Sequence, residues 1–298
     1  MSFKNLKNIK YISLVLMIFF ILSLFSVITL SVTTNVFGNV QGGEITEDGI
    51  AVPIVMYHSL MKHSKSLGAY VITPTEFEND LKYLKEHNYT AINMTELINY
   101  VYNDGDIPLR PVIITFDDGN FNNYIYGQPL LQKYGMKAVI SVVGSYSERF
   151  STPPLPTSDP YYAYASWDQI KVMGESGYFE IQNHTYNLHS TGKRNGAKRR
   201  SGESLEAYRN LLISDLSKLQ NKLAETTGIT PNTFTYPFGA VSKESKEILK
   251  ELGFKASLSC NEGVSLVNKY QSDTLFGLRR KNRPHGVSSE RFFKNFCP

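Results

Sequence analysis

The residues best suited to chemistry lie in two short segments. Thr115-Phe116-Asp117-Asp118-Gly119 places two carboxylates side by side. Adjacent carboxylates repel, and the pair becomes favourable when a cation binds one of them or one is protonated. Asp118-Gly119 alone also suits an ordinary turn, a reading that gives no reason for Asp117. The second segment, His184-Thr185-Tyr186-Asn187-Leu188-His189, holds two of the chain's six histidines. On an ideal helix such a pair points about 140° apart, so this is not the helical His-Glu-x-x-His arrangement of zinc proteases. A loop that curls back brings both imidazoles to one ion, although either histidine alone is as easily structural or exposed. Two imidazoles and one carboxylate form a facial ligand set that leaves positions on a metal for water and substrate. Asp118, His184 and His189 supply that set. Asp117 is left over, a free carboxylate placed to act as general base.

Both segments follow runs that read as strands. Strand candidates cover 52–57, 112–116, 138–143, 179–182, 234–236 and 255–258. Helix candidates lie at 122–134, 166–176, 204–226 and 242–252. Another helix opens at Thr73-Pro74, with Thr73 as N-cap, Pro74 at the first helical position and Phe77, Leu81 and Leu84 on one face. Over 204–226, Leu205, Tyr208, Leu212, Leu216, Leu219 and Leu223 mark an apolar stripe. This alternation argues a parallel α/β sheet, open or closed into a barrel, whose ligands gather at the carboxyl ends of the strands.

The chain has 298 residues, 42% hydrophobic and 12% aromatic, which excludes a disordered protein. Two cysteines, Cys260 and Cys297, exclude a disulfide framework and a cysteine-built zinc module. A net charge of +4 raises nucleic acid or an anionic surface as partners, but three of the positive charges are Lys4, Lys7 and Lys10. They precede an uncharged apolar run at 11–32, and a hydrocarbon core needs about 20 such residues. The run reads as a signal anchor, with a cleaved signal peptide as the alternative and Val36-Phe37-Gly38 a poor cleavage site. Lysines before the span place the N-terminus in the cytoplasm and the remainder outside it, membrane-held or secreted. The organisation expected is an anchor or signal segment at 1–38, a polar linker at 39–50 and a catalytic domain at 51–298, with no nucleic-acid partner. Lys193, Arg194, Lys198, Arg199 and Arg200 form a basic loop, either merely solvated or in contact with an anionic polymer or lipid headgroups. Tyr161, Tyr162 and Tyr164, in a Pro/Tyr-rich connection at 151–166, either form a platform for sugar rings or cover apolar surface.

TFDDG, the H-T-x-x-L-H segment and Tyr236-Pro237-Phe238-Gly239 resemble, in order, successive motifs of the polysaccharide deacetylases, carbohydrate esterase family 4 or the NodB-homology domain. The resemblance covers about residues 50–298. It implies a distorted (β/α) barrel with fewer than eight strands, hydrolysing N-acetyl groups on amino sugars at a divalent metal, commonly zinc. Asp117 matches the base, Asp118, His184 and His189 the metal ligands, and Tyr236 the residue whose backbone N–H stabilises the oxyanion. Pro237 has no N–H to offer, which agrees with that assignment.

The five-residue histidine spacing resembles the branch acting on poly-β-1,6-N-acetylglucosamine. In that branch a histidine in a Met-Tyr-His segment takes the acid role, which points to His58 in Met56-Tyr57-His58. His285, in Arg283-Pro284-His285-Gly286, is the alternative acid; His63 and His87 read as solvent-facing. The family's base-orienting arginine is missing from its usual place, leaving Arg279, Arg280 and Arg283 as substitutes. The substrate expected is an extracellular N-acetylated polysaccharide, the biofilm polymer ahead of peptidoglycan or chitin. The competing functions are an O-acetyl xylan-type esterase and an inactive carbohydrate-binding module on the same fold.

Overall fold

The computed structural model of the chain describes residues 49–297, apart from Ser64, Pro156 and Asn295. The apolar run at 11–32, the anchor or signal segment expected over 1–38 and most of the linker expected over 39–50 lie outside the described residues. The last linker residue, Ile50, belongs to a short strand, Ile50–Val52, paired antiparallel with Ser265–Val267. Among the described residues no helix is long and apolar enough to cross a membrane.

The centre of the fold is a 9-stranded sheet. Its strands are β1 (Ile54–Tyr57), β2 (Thr90–Ala91), β3 (Pro111–Phe116), β4 (Ala138–Val142) and β5 (Phe179–Asn183). They continue with β6 (Thr233–Thr235), β7 (Ala256–Leu258), β8 (Phe276–Leu278) and β9 (Lys281–Asn282). The spatial order is β8-β7-β6-β5-β4-β3-β1-β9, with β2 also on β3, and every ladder is parallel. β8 and β9 stand at opposite ends of this order, yet only Arg279 and Arg280 separate them in the chain. So short a link reaches about 11 Å, roughly two strand spacings. The sheet therefore curls back on itself into an incomplete barrel, and Arg280 lies at the seam.

Period-2 alternation then decides what faces the barrel interior. On β3, Val112, Ile114 and Phe116 pack outward with Phe77, Leu81 and Leu84, while Ile113 joins an inner cluster with Ile54 and Val139. The inward parity runs Ile113, Thr115, Asp117. On β1 it runs Ile54, Met56, His58, and on β5 it carries Gln182 to His184. Three strands thus deliver His58, Asp117 and His184 to one end of the interior.

Helices cover the outer face. α1 (Pro74–Glu86) starts as expected, with Thr73 Oγ1 accepting the Glu76 N–H and Glu76 accepting the Thr73 N–H, a reciprocal capping box. α2 (Met94–Tyr102), which is not among the helix candidates of the sequence, carries the same device in Asn93 and Glu96. The region 122–134 splits into a wider-wound turn at Asn123–Gly127 and α3 (Gln128–Tyr134). α4 (Gly144–Arg149) follows β4 directly, and α5 (Trp167–Glu175) is capped by Ser166. α6 (Leu205–Thr227) buries Tyr208, Leu212, Leu216, Leu219 and Leu223, but Leu205, in its first turn, is 49% exposed and does not join the apolar face. α7 (Ser245–Glu251) and α8 (Ser289–Phe293) complete the layer.

Candidate active site

A cavity of about 400 Å³ opens at the carboxyl ends of the strands, lined by His58, Asp117, Asp118, His184 and His189 together with Met56, Tyr70, Phe238, Cys260 and Asn282. Asp118 Oδ1 lies 3.5 Å from His184 Nε2 and 3.0 Å from His189 Nε2. The three ligand atoms sit within 4.8 Å of one another, so a single cation can reach all of them. His184 Nδ1 donates to the Thr235 carbonyl at 2.7 Å, which leaves Nε2 bare toward the carboxylate. A nitrogen, nitrogen, oxygen donor set of this kind suits a divalent transition ion.

The loops that carry these groups are held in unusual conformations. Asp118, Thr185 and Phe238 have φ of 73°, 76° and 57°, the left-handed region that non-glycine residues rarely adopt. Each such residue costs about 1–3 kcal/mol, and strain of this kind gathers at functional sites. For Thr185, a β-branched residue, compensation is visible. Its N–H donates to Asn183 Oδ1 at 2.9 Å, and Asp215 on α6 accepts the Tyr186 and Asn187 N–H groups, each at 2.8 Å. Gly119 (φ 73°) follows Asp118, and a Cβ there would lie 3.0 Å from Val142 Cγ1. Only glycine lets that turn close against β4.

Asp117 is 2% exposed and receives Arg280 through two parallel bonds, Nη1 to Oδ1 at 2.7 Å and Nη2 to Oδ2 at 2.8 Å. Arg280 is itself fixed by the Ser259 carbonyl at 2.8 Å and by Thr115 Oγ1 at 3.2 Å. Burial raises the Asp117 carboxyl, the Arg280 charge and hydrogen bonds lower it more, and the net result lies below the usual range. Of the three arginines left open by the sequence, Arg280 is the one that meets Asp117. Arg283 instead pairs with Asp80 (Nε to Oδ2 at 2.8 Å) in the outer core, where the Tyr57 hydroxyl also donates to Asp80 at 3.0 Å. Arg279 is exposed, with Nη1 3.3 Å from the Glu262 carbonyl.

His58 lies across the cavity, its ring 4.8 Å from that of Tyr70. Its Nδ1 is buried, with no hydrogen-bond partner among the described residues. Burial lowers its pKa from the ordinary histidine value, with Asp117 and Asp118 opposing that shift. His285 is away from the cavity, with Nδ1 2.8 Å from Glu76 Oε2, so it is not placed as an acid. His63 and His87 are exposed.

The site differs from expectation at Tyr236. Its N–H donates to the Leu258 carbonyl at 3.0 Å, continuing the β6–β7 ladder, and its hydroxyl lies 2.7 Å from Ser245 Oγ. That N–H is not open to an oxyanion. Two residues on, Phe238 lines the cavity with its ring 4.6 Å from that of His189, and no acceptor among the described residues takes its N–H. Gly239 beyond it allows the turn to press on Cys260, since a Cβ would lie 2.6 Å from Cys260 Cβ.

Other expectations are sorted by the same geometry. Both cysteines are free, Cys260 at the cavity and Cys297 in the core. Two of the five basic loop residues are matched by acids, Arg194 by Glu203 and Arg199 by Glu244, so the patch is less positive than the sequence suggests. Tyr162 is 74% exposed, whereas Tyr164 packs 4.4 Å from Tyr146 and does not stand in a flat row with it. Tyr70, Tyr146 and Asn282 carried no local motif, and only the fold brings them to the site.

Comparison with known proteins agrees with this geometry. The family model described as polysaccharide deacetylase matches residues 104–257, more than half of the chain. A poly-beta-1,6-N-acetyl-D-glucosamine N-deacetylase of Staphylococcus aureus (strain MSSA476) is 27% identical over 201 residues, 67% of this chain. The match spans 64% of that relative's own length. A protein of the same name from Staphylococcus epidermidis is 26% identical over 212 residues, 70% of this chain and 68% of the relative. Among solved structures, Streptococcus pyogenes deacetylase PplD in complex with acetate superposes with a TM-score of 0.68 at 21% identity, covering 84% of this chain and 100% of that one. IcaB from Ammonifex degensii gives 0.63 at 24% identity, covering 80% and 93%. These two likenesses establish the fold. With its curled parallel sheet, its strand-end carboxylates and histidines and the matched family model, the chain belongs to the polysaccharide deacetylase family.

Proposed function

We propose that the protein is a metal-dependent N-deacetylase acting on an extracellular N-acetylglucosamine polymer, with poly-β-1,6-N-acetylglucosamine as the preferred substrate. The observation that carries this reading is the convergence of Asp118, His184 and His189 beside the buried Asp117–Arg280 pair in one cavity. The names of the staphylococcal relatives support the choice of polymer.

Asp118 Oδ1 and the two Nε2 atoms would hold the cation, zinc fitting this donor set. When bound, it would polarise the acetyl carbonyl and make a water nucleophilic at neutral pH. Asp117 takes a proton from that water; Arg280 keeps it ionised and aimed. The Phe238 N–H donates to the oxygen that becomes negative as the carbonyl carbon turns tetrahedral. His58 delivers a proton to the departing nitrogen, because an amine leaves poorly unless protonated. Its lowered pKa makes the imidazolium form a stronger acid than free histidine. Tyr70 and Phe238, exposed by 59% and 46%, give the mouth two aromatic walls for sugar rings. The lysine-flanked apolar run at 11–32 supports a domain held at the outer face of the cell membrane.

Acetate release should be measured on poly-β-1,6-N-acetylglucosamine, peptidoglycan and chitin oligomers in parallel. Preference for the first supports the reading, and preference for either of the others replaces the substrate while leaving the chemistry in place.

A further inference from the structure

The two imidazoles of the ligand cluster are held by different means. His184 Nδ1 meets a backbone carbonyl, that of Thr235, which can only accept. Among the described residues no carbonyl meets His189 Nδ1 in this way. That nitrogen lies 3.2 Å from Tyr146 Oη, and the same hydroxyl donates to the His189 carbonyl at 3.3 Å. A phenol has one hydrogen to give and lone pairs to receive with. Because the carbonyl takes the hydrogen, the phenolic oxygen is left to accept from Nδ1–H. The proton on Nδ1 leaves Nε2 bare, 3.0 Å from Asp118 Oδ1.

Tyr146 stands on α4 and is backed by Tyr164, whose ring lies 4.4 Å away, with Phe150 a further 5.7 Å from Tyr164. Tyr164 bridges to Asn120, while the Phe121 N–H donates to the Ala163 carbonyl and the Ala165 N–H to the Gly119 carbonyl, each at 2.9 Å. One irregular run therefore braces the turn after Asp118 on one side and Tyr146 on the other. Two ligands that are 71 positions apart in the chain share a single brace.

We infer that Tyr146 is a positioning residue for the metal centre, selecting the Nδ1–H tautomer of His189 so that Nε2 faces the cation, with Tyr164 holding the phenol in place. This rests on the reading of Asp118, His184 and His189 as metal ligands. The Tyr-rich connection thus supports the ligands through Tyr164.

The test is cobalt(II) titration of the full chain against a competing chelator, comparing native protein with Tyr146→Phe, Tyr161→Phe, Asp118→Ala and His184→Ala. Tyr146→Phe should bind cobalt about 10–100-fold more weakly, the usual effect of removing a group that orients a metal-bound histidine. Tyr161→Phe removes a phenol from the same connection without touching a ligand and should bind as native. Long-range proton–nitrogen NMR of the zinc-loaded native protein should show His189 protonated at Nδ1, a readout that does not depend on any variant folding. Native affinity in Tyr146→Phe, or a His189 proton on Nε2, overturns the role of Tyr146. Native-like binding by both Asp118→Ala and His184→Ala overturns the metal reading and the inference with it.

Discussion

Replacing Arg280 with methionine removes the partner of a carboxylate that is 3% exposed while the arginine itself is 0% exposed. Two charge-assisted bonds to Asp117 are lost together with those to Ser259 and Thr115. Breaking such a pair from one side costs about 3–5 kcal/mol, because the remaining charge stays buried. For a domain of this size that lowers Tm by about 6–20 °C. Catalysis changes in a way that stability does not explain. With Arg280 present, the Asp117 carboxyl titrates below its ordinary range and the base is ionised throughout neutral and mildly acid solution. Without it, burial dominates and the carboxyl titrates higher, so kcat/KM gains an acid limb and falls more at pH 5 than at pH 8. The stability sign follows. In the native protein the lowered pKa contributes stability above the unfolded value of about 3.9 and loses it as pH falls. In Arg280→Met the raised pKa reverses that slope, so the Tm gap between the two proteins narrows from pH 7 to pH 4. Arg283→Met is the control, since its buried pair with Asp80 is as close but lies outside the cavity. It should lose similar stability and keep the native pH profile. A loss below about 1 kcal/mol, or a native pH profile in Arg280→Met, refutes the reasoning.

Three shorter predictions follow from the same geometry. His58→Ala should lower kcat/KM for an N-acetyl substrate by about 10²–10⁴-fold while leaving metal affinity intact, and should cost less on an activated O-acetyl ester, whose leaving group needs no proton; equal losses on both count against the acid role. Asp117→Asn should retain metal binding without activity, whereas Asp118→Asn should lose both, and equilibrium dialysis with a divalent ion separates them. Phe238→Ala keeps the backbone N–H and removes the ring, so KM for the polymer should rise more than kcat falls; a collapse of kcat alone would show that the ring, not the N–H, supports the chemistry.

Asp117 and His184 were legible in the sequence because each follows a recognisable strand; His58 follows one too, but it was singled out by the resemblance to the deacetylase branch, and the inward parity of all three shows only in the fold. The grouping of Asp118, His184 and His189 was legible too, since such donors are few and the histidine spacing excludes a helix. The choice of Arg280 over Arg279 and Arg283 was not, because it depends on where the chain crosses the barrel seam. β8, β9 and β2 are two or three residues long and leave no periodic signature. Tyr236 was a poor choice of oxyanion donor because the sequence shows which residue lacks an N–H but not that the Tyr236 N–H stays in the ladder while Phe238 turns left-handed. Tyr146 and Tyr164 touch only through the packing of α4 against an irregular connection.

The most direct test of the central claim is acetate release by the full chain from poly-β-1,6-N-acetylglucosamine, followed with the native protein, after complete removal of divalent metal, and with Asp117→Asn. Acetate appearing in step with new free amines from the native protein alone, and returning when metal is restored, is the expected result. Undiminished release after metal removal, or from Asp117→Asn, contradicts the account.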